Sequence, residues 1–156
     1  MCYSAKAVAN AFIKVAKEEK LPLSNLVLQK LVFLAHGWYL GITKKPLTYD
    51  AAEAWRYGPV FPNLYKALVK YGADNVEDYI PAKDEIDKSE IYNFIKAVFN
   101  KYGQYTPGQL IEITHMKKSP WSQVWGAGEG KNLQISNNII MEYYAQKIKT
   151  AEENAQ

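Results

Sequence analysis

Apolar positions recur along most of this chain at helical spacing, and local punctuation marks where each helix starts and stops. Ser4 stands before Val8, Phe12 and Val15, with Ala5, Ala9 and Ala16 beside them, which predicts a capped first helix ended by Pro22. A second helix is expected from Ser24 through Leu28, Leu31, Val32, Ala35 and Trp38 to about Leu40, with Gly41 as its stop. It is apolar around much of its circumference, which marks a central helix. Pro46, Asp50, Gly58 and Pro59 then interrupt the period, so loops and one or two short strands are expected before Phe61.

Pro62 suits the first position of a third helix, with Leu64, Leu68 and Val69 inward and Gly72 past its end. Val76, Tyr79 and Ile80 are the sizeable apolar anchors of the following stretch, which reads as a surface connection. Ser89 is the expected cap of a helix carrying Ile91, Phe94, Ile95, Val98 and Tyr102, closed by Gly103. Thr106, Pro107 and Gln109 form a capping-box start, and Ser119 with Pro120 opens another short helix through Trp121, Val124 and Trp125. Ser136 caps a last helix through Ile139, Ile140, Tyr143 and Ile148, with residues 149–156 expected to fray. The pattern predicts a mainly α fold: a single compact helical domain of six to seven helices with one or two short strands, its core spanning about residues 4–148.

At 156 residues the chain is long enough for one core, burying roughly 68–70% of its unfolded surface without disulfides or metal. The longest charge-free run, residues 31–43, is short of the roughly 20 apolar residues that span a bilayer. The amino-terminal stretch lacks an apolar h-region, so no secretory signal and no membrane partner are expected, and the cytoplasm is the expected compartment. Cys2 is the single cysteine, and the two histidines, His36 and His115, fall in no metal-ligand spacing; neither disulfide, metal nor cofactor is expected.

Charge changes the picture once it is mapped. The net value is +3, but residues 74–90 hold seven acids against Lys83 and Lys88, a local −5 that leaves +8 on the rest. A basic body suggests nucleic acid or a charged protein partner. Only Arg56 among the 19 basic residues is arginine, the usual bidentate reader of guanine, which lowers the nucleic-acid reading.

Candidate chemistry is thin. Gly126, Gly128, Gly130 and Lys131 suggest a phosphate loop, but Trp125 and Asn132 stand where the motif needs glycine and Ser/Thr. Cys2 with a histidine, or Glu53 with Glu112, would be formal catalytic pairs, yet no spacing brings either together. A helix-turn-helix over residues 107–125 lacks basic residues on its second helix. With no catalytic constellation, an enzyme is not expected. The 12 tyrosines and 4 tryptophans suit protein-binding anchors as well as core.

Three motifs recur in order: Leu28-Gln-Lys-Leu-Val-Phe-Leu-Ala-His-Gly-Trp-Tyr-Leu40, then Glu53-Ala-Trp-Arg-Tyr-Gly-Pro-Val60 with Leu64 and Tyr65, then Thr114-His115 and Pro120-Trp121. Together they resemble the Panacea domain, the SocA-like family of bacterial and phage antitoxins, which is also similar to phage GepA-type proteins. The resemblance implies a mainly helical domain and a cognate protein toxin, encoded by an adjacent gene, as partner. Neutralisation would be by direct binding, or by delivery to a ClpXP-type protease as in one member. The positions it singles out for partner binding are Trp55, Arg56, Tyr57, Gly58, Pro59, Val60, Thr114, His115, Pro120 and Trp121. The alternative from charge is a nucleic-acid-binding autoregulator using the basic surface.

Overall fold

The computed structural model describes residues 2–155. Helix α1 (Ala5–Glu19) starts where the Ser4 hydroxyl accepts from the Ala7 amide, and stops where Lys20 turns into the left-handed region. Its alanines are almost wholly buried, which lets α1 lie close against its neighbours. Helix α2 (Asn25–Thr43) is capped by Ser24 and has buried residues around most of its circumference, including Leu28, Leu31, Val32 and Ala35. It packs against α1 and against the later helices, so its length and apolar composition serve the core of the domain.

Gly41 does not stop this helix, contrary to the sequence expectation. The helix continues to Thr43 and ends on left-handed Lys44. Gly41 and Gly37 instead let the last helix approach: a Cβ on Gly41 would lie 2.8 Å from Tyr144 Cβ, and one on Gly37 would overlap the Tyr144 ring.

Strands β1 (Ala52–Trp55) and β2 (Gly58–Val60) form an antiparallel hairpin with Trp55 opposite Gly58. A third strand, β3 (Gln134–Ile135), joins the other edge of β1, where the sequence had shown no strand signal. Helix α3 (Pro62–Leu68) buries Leu64 and Leu68 and runs into a 3-10 turn over Val69–Tyr71. Val69, expected inward, is 53% exposed because the tightened turn rotates it outward.

The acidic connection is a strap bound to α1. Asn10 donates from its amide to the Ile80 carbonyl and accepts from the Ile80 amide; the Ser4 amide and hydroxyl both donate to Asp84. Helix α4 (Ser89–Tyr102) begins one residue earlier than expected: Lys88 holds the cap position without a side-chain bond, and Ser89 is the first helical residue. Helix α5 (Pro107–His115) has the reciprocal Thr106–Gln109 capping box, and α6 (Pro120–Trp125) is capped by Ser119. Ser136 caps α7 (Asn137–Asn154), which continues past residue 149, where fraying was expected. The result is a mainly helical single domain with seven helices and one small sheet among the described residues.

Candidate functional site

The β1–β2 hairpin turns at Arg56 and Tyr57 and is held from beneath by α2. Gln29 accepts from the Phe61 amide at 2.9 Å, its own amide steadied on Asn25. Lys30 is 1% exposed and donates to the Pro59 carbonyl at 3.3 Å. Gly58 adopts φ +120°, and a Cβ there would fall 2.8 Å from Lys30 Cε and 3.3 Å from Thr114 Oγ1. The hairpin therefore rests directly on the lysine side chain, and glycine is required both by conformation and by space.

The second motif clamps the hairpin from the side. The Trp121 indole N–H donates to the Trp55 carbonyl at 2.6 Å, and the His115 ring stacks flat on Trp121 at 3.7 Å with 4° between planes. Trp125 extends the stack at 5.2 Å. The Thr114 hydroxyl donates to the Leu110 carbonyl at 2.9 Å, and the Ser119 hydroxyl to the Thr114 carbonyl at 3.1 Å, closing the α5–α6 corner. Two motifs about sixty residues apart thus meet in one cluster.

Within it the duties divide. Gly58, Pro59, Val60, Thr114, Pro120 and Trp121 are buried; Arg56 and Tyr57 are exposed, and Trp55 and His115 are half-buried. Arg56 lies over the Tyr57 ring at 5.5 Å. Trp55 packs on Tyr65 at 4.9 Å and donates to Glu53 at 3.0 Å. Beside them a cleft of about 430 Å³ is lined by Leu26, Arg56, Tyr57, Val60, Tyr65 and the Lys30 stem, with no carboxylate.

Burial sets the electrostatics. It pushes the Lys30 amine down to about 7, with no opposing partner charge. His115 is lowered by burial and by Lys30, a Tyr57 backbone hydrogen bond opposing. Its Nε2 is buried without a hydrogen-bond partner. Lys30 and Gln29 are the central residues that sequence reading passed over. Their signal was two polar residues inside an otherwise apolar run.

The candidate catalytic groups have other occupations. His36 accepts from the Thr48 amide on Nδ1 and meets Asn137 on Nε2 at 2.9 Å, so both ring nitrogens are engaged in the core. In the glycine-rich loop the Ala127 amide donates to Glu129 at 2.9 Å, placing the chain's own carboxylate where a phosphate would have to sit. No group of three or more His, Cys, Asp or Glu is placed to hold a metal ion among the described residues. The short second helix of the would-be helix-turn-helix buries Trp121 against the side of the hairpin.

These features define a helical domain in which two motifs lock a β-hairpin onto a central helix. Residues 28–122 match the family described as antitoxin SocA-like, Panacea domain, and the chain belongs to that family. It is 29% identical over 153 residues to antitoxin SocA of Caulobacter vibrioides (strain NA1000 / CB15N), covering 90% of this chain and 81% of that protein. No solved structure matches the chain.

Proposed function

We propose that this protein is an antitoxin that neutralises a cognate protein toxin, encoded by an adjacent gene, by direct binding through the hairpin tip. The observation that carries this reading is the rigid presentation of Trp55, Arg56 and Tyr57. An aromatic pair and the chain's one arginine stand at a turn whose backbone is fixed from below and from the side. Pre-fixed aromatic and arginine anchors are the residue types that dominate binding energy, because little freedom remains to be lost on association. Gly58, Pro59, Val60, Thr114, His115, Pro120 and Trp121 act by holding that tip. The protein acts by binding and not by catalysis.

Induction of the adjacent open reading frame alone, then together with this protein, tests the reading by growth and by co-purification. Growth arrest relieved by co-expression, with a complex at micromolar concentration, is expected. Tyr57→Ala and Arg56→Ala each weaken the complex by roughly tenfold or more while leaving Tm within a few degrees of the parent. A harmless neighbour, or a toxic one not relieved, overturns the pairing. A steeply salt-dependent shift of the gene's own promoter DNA, without a protein complex, points to the autoregulator instead.

A further inference from the structure

A second concave surface lies between α4, α5 and α7 and shares no residue with the hairpin cleft. Its volume is about 630 Å³, and its floor is formed by Leu34, Trp38 and Tyr102. The Trp38 indole donates to the Tyr102 hydroxyl at 2.8 Å, so the indole N–H is satisfied within the floor. Met116, at its edge, is 47% exposed. Lysines 101, 118 and 147 stand among the lining residues, and no carboxylate does among the described residues.

One wall is a single face of α7: Tyr143, Lys147, Thr150 and Asn154, spaced three or four residues apart. At about 1.5 Å per residue this face runs roughly 16 Å, about three turns of a second helix laid alongside. Flat stacking of bases is poorly served. The rings meet edge to face, Tyr102 on Tyr105 at 79° and Trp38 on Tyr144 at 61°, and Lys101 lies 4.5 Å over the Trp38 ring.

We propose that this groove docks an amphipathic helix of a protein partner, about three turns long, apolar on the inserted face and acidic along its flanks. Apolar side chains pack against the exposed Tyr105 and Met116, and flanking carboxylates meet Lys118, Lys147 and the Lys101 ammonium that lies over Trp38, as helix-in-groove recognition requires. The inference is independent of the hairpin reading.

The test uses the full chain with 13C-labelled methionine methyls. The probe is a capped designed helix of about 16 residues with a leucine and phenylalanine stripe flanked by glutamates, against a twin with lysines in place of the glutamates. The acidic peptide is expected to shift the Met116 methyl resonance, leave that of Met141, which does not line the groove, in place, and bind at least tenfold tighter than its twin. K118E with K147E reverses that preference, Ala151→Trp blocks both peptides, and Trp55→Ala changes nothing. Equal binding of the twins, binding without a Met116 shift, or a Met116 shift caused by oligo-dT and not by the acidic peptide overturns the proposal. Failure here leaves the growth test of the hairpin untouched, and failure there leaves this one standing.

Discussion

A lysine sealed under a hairpin with a carbonyl as its hydrogen-bond partner carries a measurable cost. Unfolded, Lys30 keeps its proton to about its ordinary value of 10.5; folded, it releases it near 7. Between those values the unfolded state holds more protons, so stability climbs with pH through that window and the gain is absent below it. Tm should therefore rise by several degrees from about pH 6.5 to about pH 9. The scan must stop before about pH 10, because burial also raises Tyr92, to about 12, and tyrosines of that kind lose stability as pH climbs further. Lys30→Met should flatten the profile and raise Tm at pH 7; a slope unchanged in the variant assigns it elsewhere. Gly58→Ala is the opposite case, adding a methyl against Lys30 at a positive φ, with an expected loss of about 2–4 kcal/mol by denaturant titration. Gly72, also at positive φ but with nothing within 4 Å of its Cβ position, should lose only the backbone strain, about 1–3 kcal/mol, in the same experiment.

At the scale of elements, the legible features were those whose cause is local. Ser4, Ser24, Thr106 with Gln109, Ser119 and Ser136 each bond the amide three residues ahead, so their patterns locate helix starts without knowledge of the fold. Features decided across the chain were not legible. Gly41 reads as a stop but is a contact surface for Tyr144, about a hundred residues away, and the two-residue β3 exists through its pairing with Ala52 and Glu53. The hairpin and the Thr114–Trp121 motif could be named separately; that they touch, and that Lys30 lies between them, required the fold. Helix propensity alone favours Gly37→Ala by about 1 kcal/mol. Overlap with Tyr144 predicts instead a net loss of about 1–3 kcal/mol, shrinking by half or more in a Tyr144→Leu background. Stabilisation by Gly37→Ala would mean that α7 does not sit this close to α2. The strap gives a further prediction: Asn10→Ala, which removes both side-chain bonds to Ile80, should speed amide exchange across residues 76–86 with little change in exchange of α2.

For the molecule as a whole, seven helices and a three-stranded sheet among the described residues enclose one core, and the hairpin cleft and the α4–α5–α7 groove share no lining residue. The uneven charge finds a physical form. The acidic stretch runs along α1, where Lys17 donates to the Glu77 carbonyl, while Lys101, Lys118 and Lys147 gather at the opposite-signed groove. Arg56 and Tyr57 have a different standing from every residue around them. The carbonyls, amides and rings that fix the turn belong to Trp55, Pro59, Phe61, His115 and Trp121, so these two side chains carry no duty to the fold. If the hairpin tip binds the toxin as proposed, a lineage meeting a changed toxin can therefore rewrite two adjacent codons and keep its scaffold. A saturation library at those two positions should stay folded almost throughout while its partner preferences diverge.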